Sequence, residues 1–160
     1  MESIMDEFDS HTGNRVAVLG QGVTALILAL RFAQAGRSVT LVGRFNPLAR
    51  SRSLTLRSGD RNAIRLLDEL GLIDAIGWNR QPNAFGGFGA RSEGSVVDGY
   101  SRLAHALRDR LIALGVVFRS TIEALDVDEI VAAPLAITDL ETAVVLATSA
   151  YRARCADKIA

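Results

Sequence analysis

One short glycine-rich segment constrains the fold of this chain more than any other feature. It reads Gly20-Gln21-Gly22-Val23-Thr24-Ala25 and stands between the apolar run 16–19 and a stretch rich in Ala and Leu that ends before Gly36. A continuous apolar run is typical of a strand buried on both faces of a parallel sheet, and a glycine such as Gly36 commonly ends a helix. Since residues 38–42 then read as a second strand rich in β-branched residues, we predict a βαβ unit over residues 15–42.

The spacing within this turn fits a dinucleotide-binding βαβ unit. Gly20 permits a tight turn, Gly22 lets backbone amides approach a pyrophosphate, and Ala25 permits close packing of the helix on the strand. The free N–H groups and the dipole at the start of the helix favour the same anion. The alternative is a glycine turn in an ordinary α/β fold that binds no ligand, but the flanking strand, helix and second strand favour the dinucleotide architecture.

The end of the second predicted strand departs from that architecture. A carboxylate roughly 20 residues after the turn would bind the ribose hydroxyls of the adenosine, whereas Val42 is followed by Gly43 and Arg44. Three interpretations of Arg44 are open. It contacts a 2′-phosphate, which would indicate NADP, it stacks on adenine, or it is a solvated arginine at a strand end.

The remaining elements are predicted from periodicity and turn residues. We expect a helix over residues 60–70 with Asp60 as its N-cap, and a loop over residues 78–95 with an irregular strand at residues 85–88. A helix over residues 100–114, capped by Gly99 or Ser101, precedes a strand at 116–119 and a hairpin formed by residues 135–138 and 143–147. The predicted fold class is α/β: a Rossmann-type parallel sheet flanked by helices, with a small β-hairpin.

Length and composition determine the expected organisation. The 160 residues correspond to one domain, and a hydrophobic fraction of 49% supplies a sizeable core. We expect a disordered arm over residues 1–14, an ordered domain over residues 15–148 and a C-terminal tail over residues 149–160. The arm lacks the basic and apolar regions of a signal peptide, and no run of about 18 apolar residues occurs. We therefore expect no transmembrane segment and a cytoplasmic location.

The charges and the few reactive side chains exclude several functions. The 18 basic and 18 acidic residues cancel, so nothing indicates nucleic acid as a partner. One cysteine and two histidines exclude a disulfide framework and a multi-cysteine zinc site, and we expect no metal. His105 is interpreted as a surface histidine rather than a catalytic base, and Cys155 as inert rather than a thiol activated by neighbouring arginines. The acidic segment 123–141 is interpreted as a solvated face, or alternatively as a partner for the basic region 44–65.

Three blocks of sequence occur in a characteristic order. The first is residues 15–44, the second runs from Arg52 through the predicted helix to Ile76, and the third is residues 99–107 followed by Gly115-Val116. In order and spacing they resemble the N-terminal part of the FAD-dependent aromatic-ring hydroxylases (group A flavoprotein monooxygenases). The nearest branch is that of the ubiquinone-biosynthesis hydroxylases.

This resemblance implies an FAD-binding domain that hydroxylates an aromatic ring with NAD(P)H as co-substrate. It implies that Gly20, Gly22 and Ala25 contact the FAD pyrophosphate. It also implies that Arg44 contacts the adenosine, and that Arg52 and Arg102 contact the flavin or its phosphates. Arg102 stands in the first turn of a predicted helix, where a cation opposes the helix dipole. A ligand contact explains that position better than surface decoration does.

The matched blocks correspond to about the first half of such a hydroxylase. The family's Gly-Asp motif, which contacts the riboflavin part of FAD, and the sheet that covers the substrate lie beyond the matched region. Where the family has an Ala-Asp-Gly stretch, this chain reads Thr148-Ser149-Ala150. We therefore expect an incomplete enzyme, with catalytic residues that the sequence does not identify. The alternatives are a non-catalytic interaction or regulatory domain, completed by self-association or by a second polypeptide, and an NADP-binding module that uses Arg44.

Overall fold

A computed structural model describes residues 14–20, 22–43, 54–82, 88–121, 126–134 and 139–159. Within these residues the chain forms seven strands, four α-helices and a short 3₁₀ turn at Ile73–Ala75. In chain order the elements are β1 (Arg15–Leu19), α1 (Val23–Gln34), β2 (Ser38–Val42), β3 (Leu54–Arg57), α2 (Arg61–Glu69), β4 (Gly77–Pro82), β5 (Phe88–Val96), α3 (Gly99–Ala113), β6 (Val117–Arg119), β7 (Glu129–Ala132) and α4 (Leu140–Ile159).

Four of the strands form a parallel sheet in the order β6-β2-β1-β7. β1 pairs with β2 on one side and with β7 on the other. Val16, Ala17 and Val18 have no exposed surface, as expected for a strand buried on both faces. The predicted βαβ unit and the α/β fold class with its parallel sheet are confirmed.

The core lies between this sheet and the helices. α1 is buried from Thr24 to Leu30 and again at Phe32 and Ala33, and it packs against α3 and α4 as well as against β1 and β2. Burying a large apolar side chain stabilises the fold by about 1.5–3 kcal/mol. The nearly all-apolar sequence of α1 therefore makes it the centre of the helical layer.

A second, antiparallel sheet includes most of the described residues that were predicted to form a loop. Its strand order is β3-β5-β4, so the loop prediction is wrong for the described part of residues 78–95; residues 83–87 lie outside the described residues. Glycines favoured that interpretation, but Gly94 is needed for packing. A Cβ at Gly94 would lie 2.7 Å from Cγ2 of Ile76 and 2.8 Å from Cε3 of Trp78, and its absence lets the Trp78 side chain pack across β5.

The C-terminal part of the chain corrects two further predictions. Residues 140–159 form the single helix α4, so the strand predicted at residues 143–147 is wrong, and residues 149–159 continue this helix instead of forming a tail. The first hairpin strand, at residues 135–138, lies outside the described residues, as does the predicted arm up to residue 13. Burial of Ala143, Val144 and Ala147 follows the spacing of one helix face. The Tyr151 ring packs edge-on against Phe32, with 5.2 Å between the ring centroids.

The helix starts also differ in detail from the prediction. Asp98, in the left-handed conformation with φ 51°, is the N-cap of α3 in place of Gly99 or Ser101. Gly99 is the first helical residue, and a Cβ there would lie 3.0 Å from Cβ of Val96. Asp60 is the N-cap of α2 as predicted, but its carboxylate accepts a hydrogen bond from the Arg57 N–H at 2.9 Å and none from the helix. None of the helices in the described part of the chain is long and apolar enough to cross a membrane.

Candidate nucleotide-binding site

The junction of β1 and α1 is a tight turn held against the neighbouring strand. The Gly20 N–H donates a hydrogen bond to the carbonyl of Val42 at 3.1 Å. Gly22 is the N-cap of α1, and its carbonyl accepts hydrogen bonds from the N–H groups of Ala25 at 3.1 Å and Leu26 at 3.3 Å. The first N–H groups of a helix have no partner within it, so the turn directs unpaired donors out of the N-terminus of α1.

Gly20 allows α1 to approach the sheet closely. A Cβ at this position would lie 2.8 Å from Cβ of Ala25 and 3.1 Å from Cβ of Ala133. Ala25 is 2% exposed, and Ala133, just after β7, is held by a 2.8 Å hydrogen bond from its N–H to the Leu19 carbonyl. The turn thus has the close helix–strand packing that the sequence predicts for Ala25, with a contribution from β7 that the sequence did not indicate.

Gly22 has the opposite surroundings. It is exposed, and no atom of the described chain lies within 4 Å of the position of an added Cβ. The described residues therefore leave space beside the N-terminus of α1, where the partial positive charge of the helix favours an anion. A pyrophosphate fits this arrangement, because it needs backbone donors and close approach rather than a side chain.

The carboxyl ends of the parallel strands meet at the same edge as this turn, which is where ligands of open α/β sheets bind. β2 ends at Val42, and the N–H of the following Gly43 donates to the carbonyl of Arg119 at 2.9 Å. Gly43 occupies the position where a ribose-binding carboxylate is expected, and its neighbour Arg119 is the exposed last residue of β6. Sequence reasoning missed Arg119, because only the pairing of β6 with β2 brings it to this place.

The remaining predicted site residues are distributed over other elements. Arg102 is exposed on the first turn of α3, and its guanidinium makes no ion pair or hydrogen bond with the described part of the chain. Arg44 and Arg52 lie outside the described residues. Leu54 nevertheless adjoins the start of α3, since a Cβ at Gly99 would lie 3.0 Å from the Leu54 nitrogen. The first residue of β3 therefore lies beside the N-terminus of α3.

Acidic side chains gather at the opposite, amino edge of the sheet. Arg15 Nη1 pairs with Asp126 Oδ2 at 2.7 Å, and Arg37 Nη2 pairs with Glu129 Oε2 at 2.9 Å. The hydrogen bond to Asp126 and then that to Asp128 raise the pKa of Arg15 above its usual value. The acidic segment is therefore partly ion-paired rather than wholly a solvated face.

Other reactive side chains in the described residues do not form a second site. His105 is exposed on α3, consistent with a surface histidine. Cys155 is half-buried on α4; a hydrogen bond with it, and then burial, raise the pKa of Tyr151. No group of three His, Cys, Asp or Glu side chains able to hold a metal ion occurs among the described residues.

No family model matches this chain, and no curated protein matches it. Solved structures with a similar fold include the Diels-Alderase PyrE3 of pyrroindomycin biosynthesis, at 18% identity and a TM-score of 0.48 over 68% of this chain and 25% of that chain. The tetrameric form of 2-methyl-3-hydroxypyridine-5-carboxylic acid oxygenase is 22% identical, with a TM-score of 0.46 over 67% of this chain and 31% of that chain. The OxyS anhydrotetracycline hydroxylase from Streptomyces rimosus is 22% identical, with a TM-score of 0.46 over 66% of this chain and 24% of that chain. The chain thus spans about a quarter to a third of the length of these three proteins, and a likeness at this level assigns no activity to it.

Proposed function

We propose that this chain binds an adenine dinucleotide at the junction of β1 and α1, with the pyrophosphate at the N-terminus of α1. The observation that carries the proposal is the contrast between the two glycines. Gly20 is required for packing, because a Cβ there would lie 2.8 Å from that of Ala25, whereas no atom of the described residues lies within 4 Å of a Cβ built at Gly22. Gly22 also has an ordinary φ of −104°, so neither packing nor backbone conformation demands a glycine there. Close approach of a ligand to the backbone does require a glycine at position 22.

FAD is the dinucleotide that the resemblance to the group A flavoprotein monooxygenases implies. In this proposal Gly20, Gly22 and Ala25 form the pyrophosphate site, Arg44 lies beside the adenosine, and Arg52 and Arg102 contact the flavin or its phosphates. In the described residues, β3 begins at Leu54 beside the N-terminus of α3, the helix that carries Arg102. FAD supplies the redox chemistry of ring hydroxylation, of the ubiquinone type with NAD(P)H as co-substrate, and the residues of this chain bind and orient it.

Titration of the purified chain with FAD by calorimetry tests this proposal. The wild type should bind FAD, and Gly22→Ala should weaken binding about tenfold or more, because the added methyl group holds the pyrophosphate away from the N–H donors. Gly59→Ala is the matched control, since a Cβ at Gly59 also meets no neighbour. If the folded chain binds none of FAD, NAD⁺ and NADP⁺, or if the two variants bind FAD equally well, the assigned site is wrong.

A second candidate function is a non-catalytic interaction domain. It is favoured by exposed apolar side chains on both edge strands of the main sheet: Val117 of β6 and Ile130 of β7 are each 47% exposed. Such surface promotes association with a second copy or with another polypeptide. Sedimentation velocity over a range of concentrations tests this candidate. A dimer that forms with rising concentration supports it, and a monomer throughout argues against self-association.

A further inference from the structure

We infer that Arg119 selects an adenine dinucleotide with a 2′-phosphate on its adenosine ribose, as in NADP(H), over one with a free ribose. This inference rests on the dinucleotide site proposed above. Because the adenosine ribose of FAD has a free 2′-hydroxyl, the inference makes NADP(H), and not the FAD that the resemblance implies, the preferred occupant of that site. Its basis is the side-chain chemistry at the carboxyl edge of the parallel sheet.

The first observation concerns the residue after β2. A site for a free ribose presents a carboxylate there, which accepts hydrogen bonds from the hydroxyl groups and repels a phosphate. This chain has Gly43, which has no side chain, and the Gly43 N–H is already bonded to the Arg119 carbonyl at 2.9 Å. The position therefore offers a free ribose no side-chain acceptor and presents no charge against a phosphate.

The second observation concerns Arg119 itself. Arg119 stands opposite Val42 in the register of β6 and β2, and neighbouring strands lie about 4.8 Å apart. An extended arginine side chain is longer than this spacing, so its guanidinium can reach the end of β2. It makes no ion pair or hydrogen bond with another described residue, and it is exposed. A guanidinium with free, planar donors is well suited to bidentate binding of a phosphate.

The third observation is the distribution of charge between the two edges of the sheet. At the amino edge, carboxylates bind the guanidinium groups of Arg15, Arg37 and Arg154. At the carboxyl edge, the described residues that follow the strands are uncharged: Gly20, Gly43, Ser120 with Thr121, and Ala133 with Pro134. An anion at that edge therefore meets Arg119 and the positive end of α1, with no carboxylate among these residues to oppose it.

Calorimetric titration of the full chain with NADP⁺, NAD⁺ and FAD tests the inference. The wild type should bind NADP⁺ about tenfold more tightly than NAD⁺, and Arg119→Gln should remove that preference by weakening NADP⁺ alone. Arg119→Glu should weaken NADP⁺ further and strengthen NAD⁺, because it places a carboxylate beside the ribose. Arg152→Gln, which removes an exposed arginine from α4, is the matched control and should change neither affinity.

The outcomes separate this inference from the proposed function. Equal wild-type affinities for NAD⁺ and NADP⁺, FAD binding without NADP⁺ binding, or equal loss of both nicotinamide dinucleotides in Arg119→Gln overturns the inference and leaves the dinucleotide site in place. Binding of none of the three overturns both. If circular dichroism shows that Arg119→Gln does not fold, Arg119→Lys replaces it. The lysine keeps the charge without the fork, so it should retain a reduced NADP⁺ preference, and an undiminished preference contradicts the contact.

Discussion

At the scale of single residues, the two glycines of the β1–α1 turn differ in what a methyl group would do. Gly20→Ala places a Cβ 2.8 Å from that of Ala25 and 3.1 Å from that of Ala133, and neither Cβ can move aside unless its backbone moves. We expect Gly20→Ala to lower the free energy of unfolding by about 1–3 kcal/mol. Gly22→Ala meets open space and should cost no more than about 1 kcal/mol through the weaker N-cap. Urea denaturation measures both, and equal losses would contradict the packing role of Gly20.

Glu141 is a residue of α4 that caps a different helix. Its carboxylate accepts hydrogen bonds from the backbone N–H groups of Asn62 at 3.2 Å and Ala63 at 2.7 Å, and from Asn62 Nδ2 at 2.9 Å. These backbone donors belong to the first turn of α2 and have no partner within the helix. Glu141→Ala should therefore lower the free energy of unfolding by about 1–2 kcal/mol.

The matched variants for this cap are Glu141→Gln and Asp109→Ala. The amide oxygen of glutamine still accepts hydrogen bonds, so Glu141→Gln should lower the free energy of unfolding less than Glu141→Ala does. Asp109 is an exposed carboxylate on α3, and its removal should stay within about 0.5 kcal/mol. If urea denaturation gives the same loss in free energy of unfolding for Glu141→Ala and Asp109→Ala, the contact between α4 and α2 adds no stability.

At the scale of elements, the start of α4 depends on pH. The Thr142 N–H donates to Asp139 Oδ1 at 2.7 Å, and hydrogen bonds from the Thr142 side chain and then its backbone lower the pKa of Asp139. Because the folded pKa lies below the unfolded value of about 3.9, the stabilisation is complete above about pH 4 and is lost as the pH falls through the folded pKa. Asp139→Ala should cost about 1 kcal/mol at neutral pH.

Thermal denaturation of wild type and Asp139→Ala at neutral pH and near pH 2 checks this prediction. The difference in Tm should shrink at the acidic pH, where the wild-type carboxyl group is also protonated. Asp139→Asn should stay close to the wild type at neutral pH, since asparagine is also a good N-cap. A difference between wild type and Asp139→Ala that is the same at both pH values would mean that the ionised carboxylate adds nothing.

The same elements show which parts of the fold a sequence can predict. The β1–α1–β2 unit, α2 and α3 followed from periodicity, because each is defined by local spacing of apolar residues. The sheet of β3, β5 and β4 did not, since it depends on pairing Leu54 with Val96 and on a glycine, Gly94, that the Trp78 side chain requires. Residues 143–147 have the composition of a strand, but packing of α4 on α1 overrides that propensity.

At the scale of the whole molecule, the candidate site divides in the same way. Gly20, Gly22 and Ala25 are neighbours along the chain, so a motif was sufficient to predict their arrangement. Ala133 and Arg119 reach the same edge only through the strand order β6-β2-β1-β7, which no local pattern contains. Residues that complete a site at the end of a parallel sheet come from distant crossovers, and they become visible only when the sheet order is known.

The last helix joins distant parts of the chain at the amino edge, away from that site. Tyr151 packs on Phe32 with 5.2 Å between the ring centroids, and Glu129 at the start of β7 pairs with Arg37 at 2.9 Å and with Arg154 at 3.5 Å. Tyr151→Ala should lower the free energy of unfolding by about 2–4 kcal/mol. Tyr151→Phe keeps the ring that packs on Phe32, so it should cost much less stability than Tyr151→Ala.

Removal of residues 149–160 extends this prediction to the whole molecule. It deletes Tyr151 and Arg154 together, so it should cost more stability than Tyr151→Ala does, whereas an independent tail could be removed without effect. These contacts lie at the amino edge of the sheet. A Tyr151→Ala variant that still folds should therefore bind dinucleotide with an unchanged Kd. Urea denaturation and calorimetric titration measure the two properties separately. A truncated chain as stable as the wild type would restore the boundary at residue 148, and a Kd that changes in folded Tyr151→Ala would show that α4 also shapes the opposite edge.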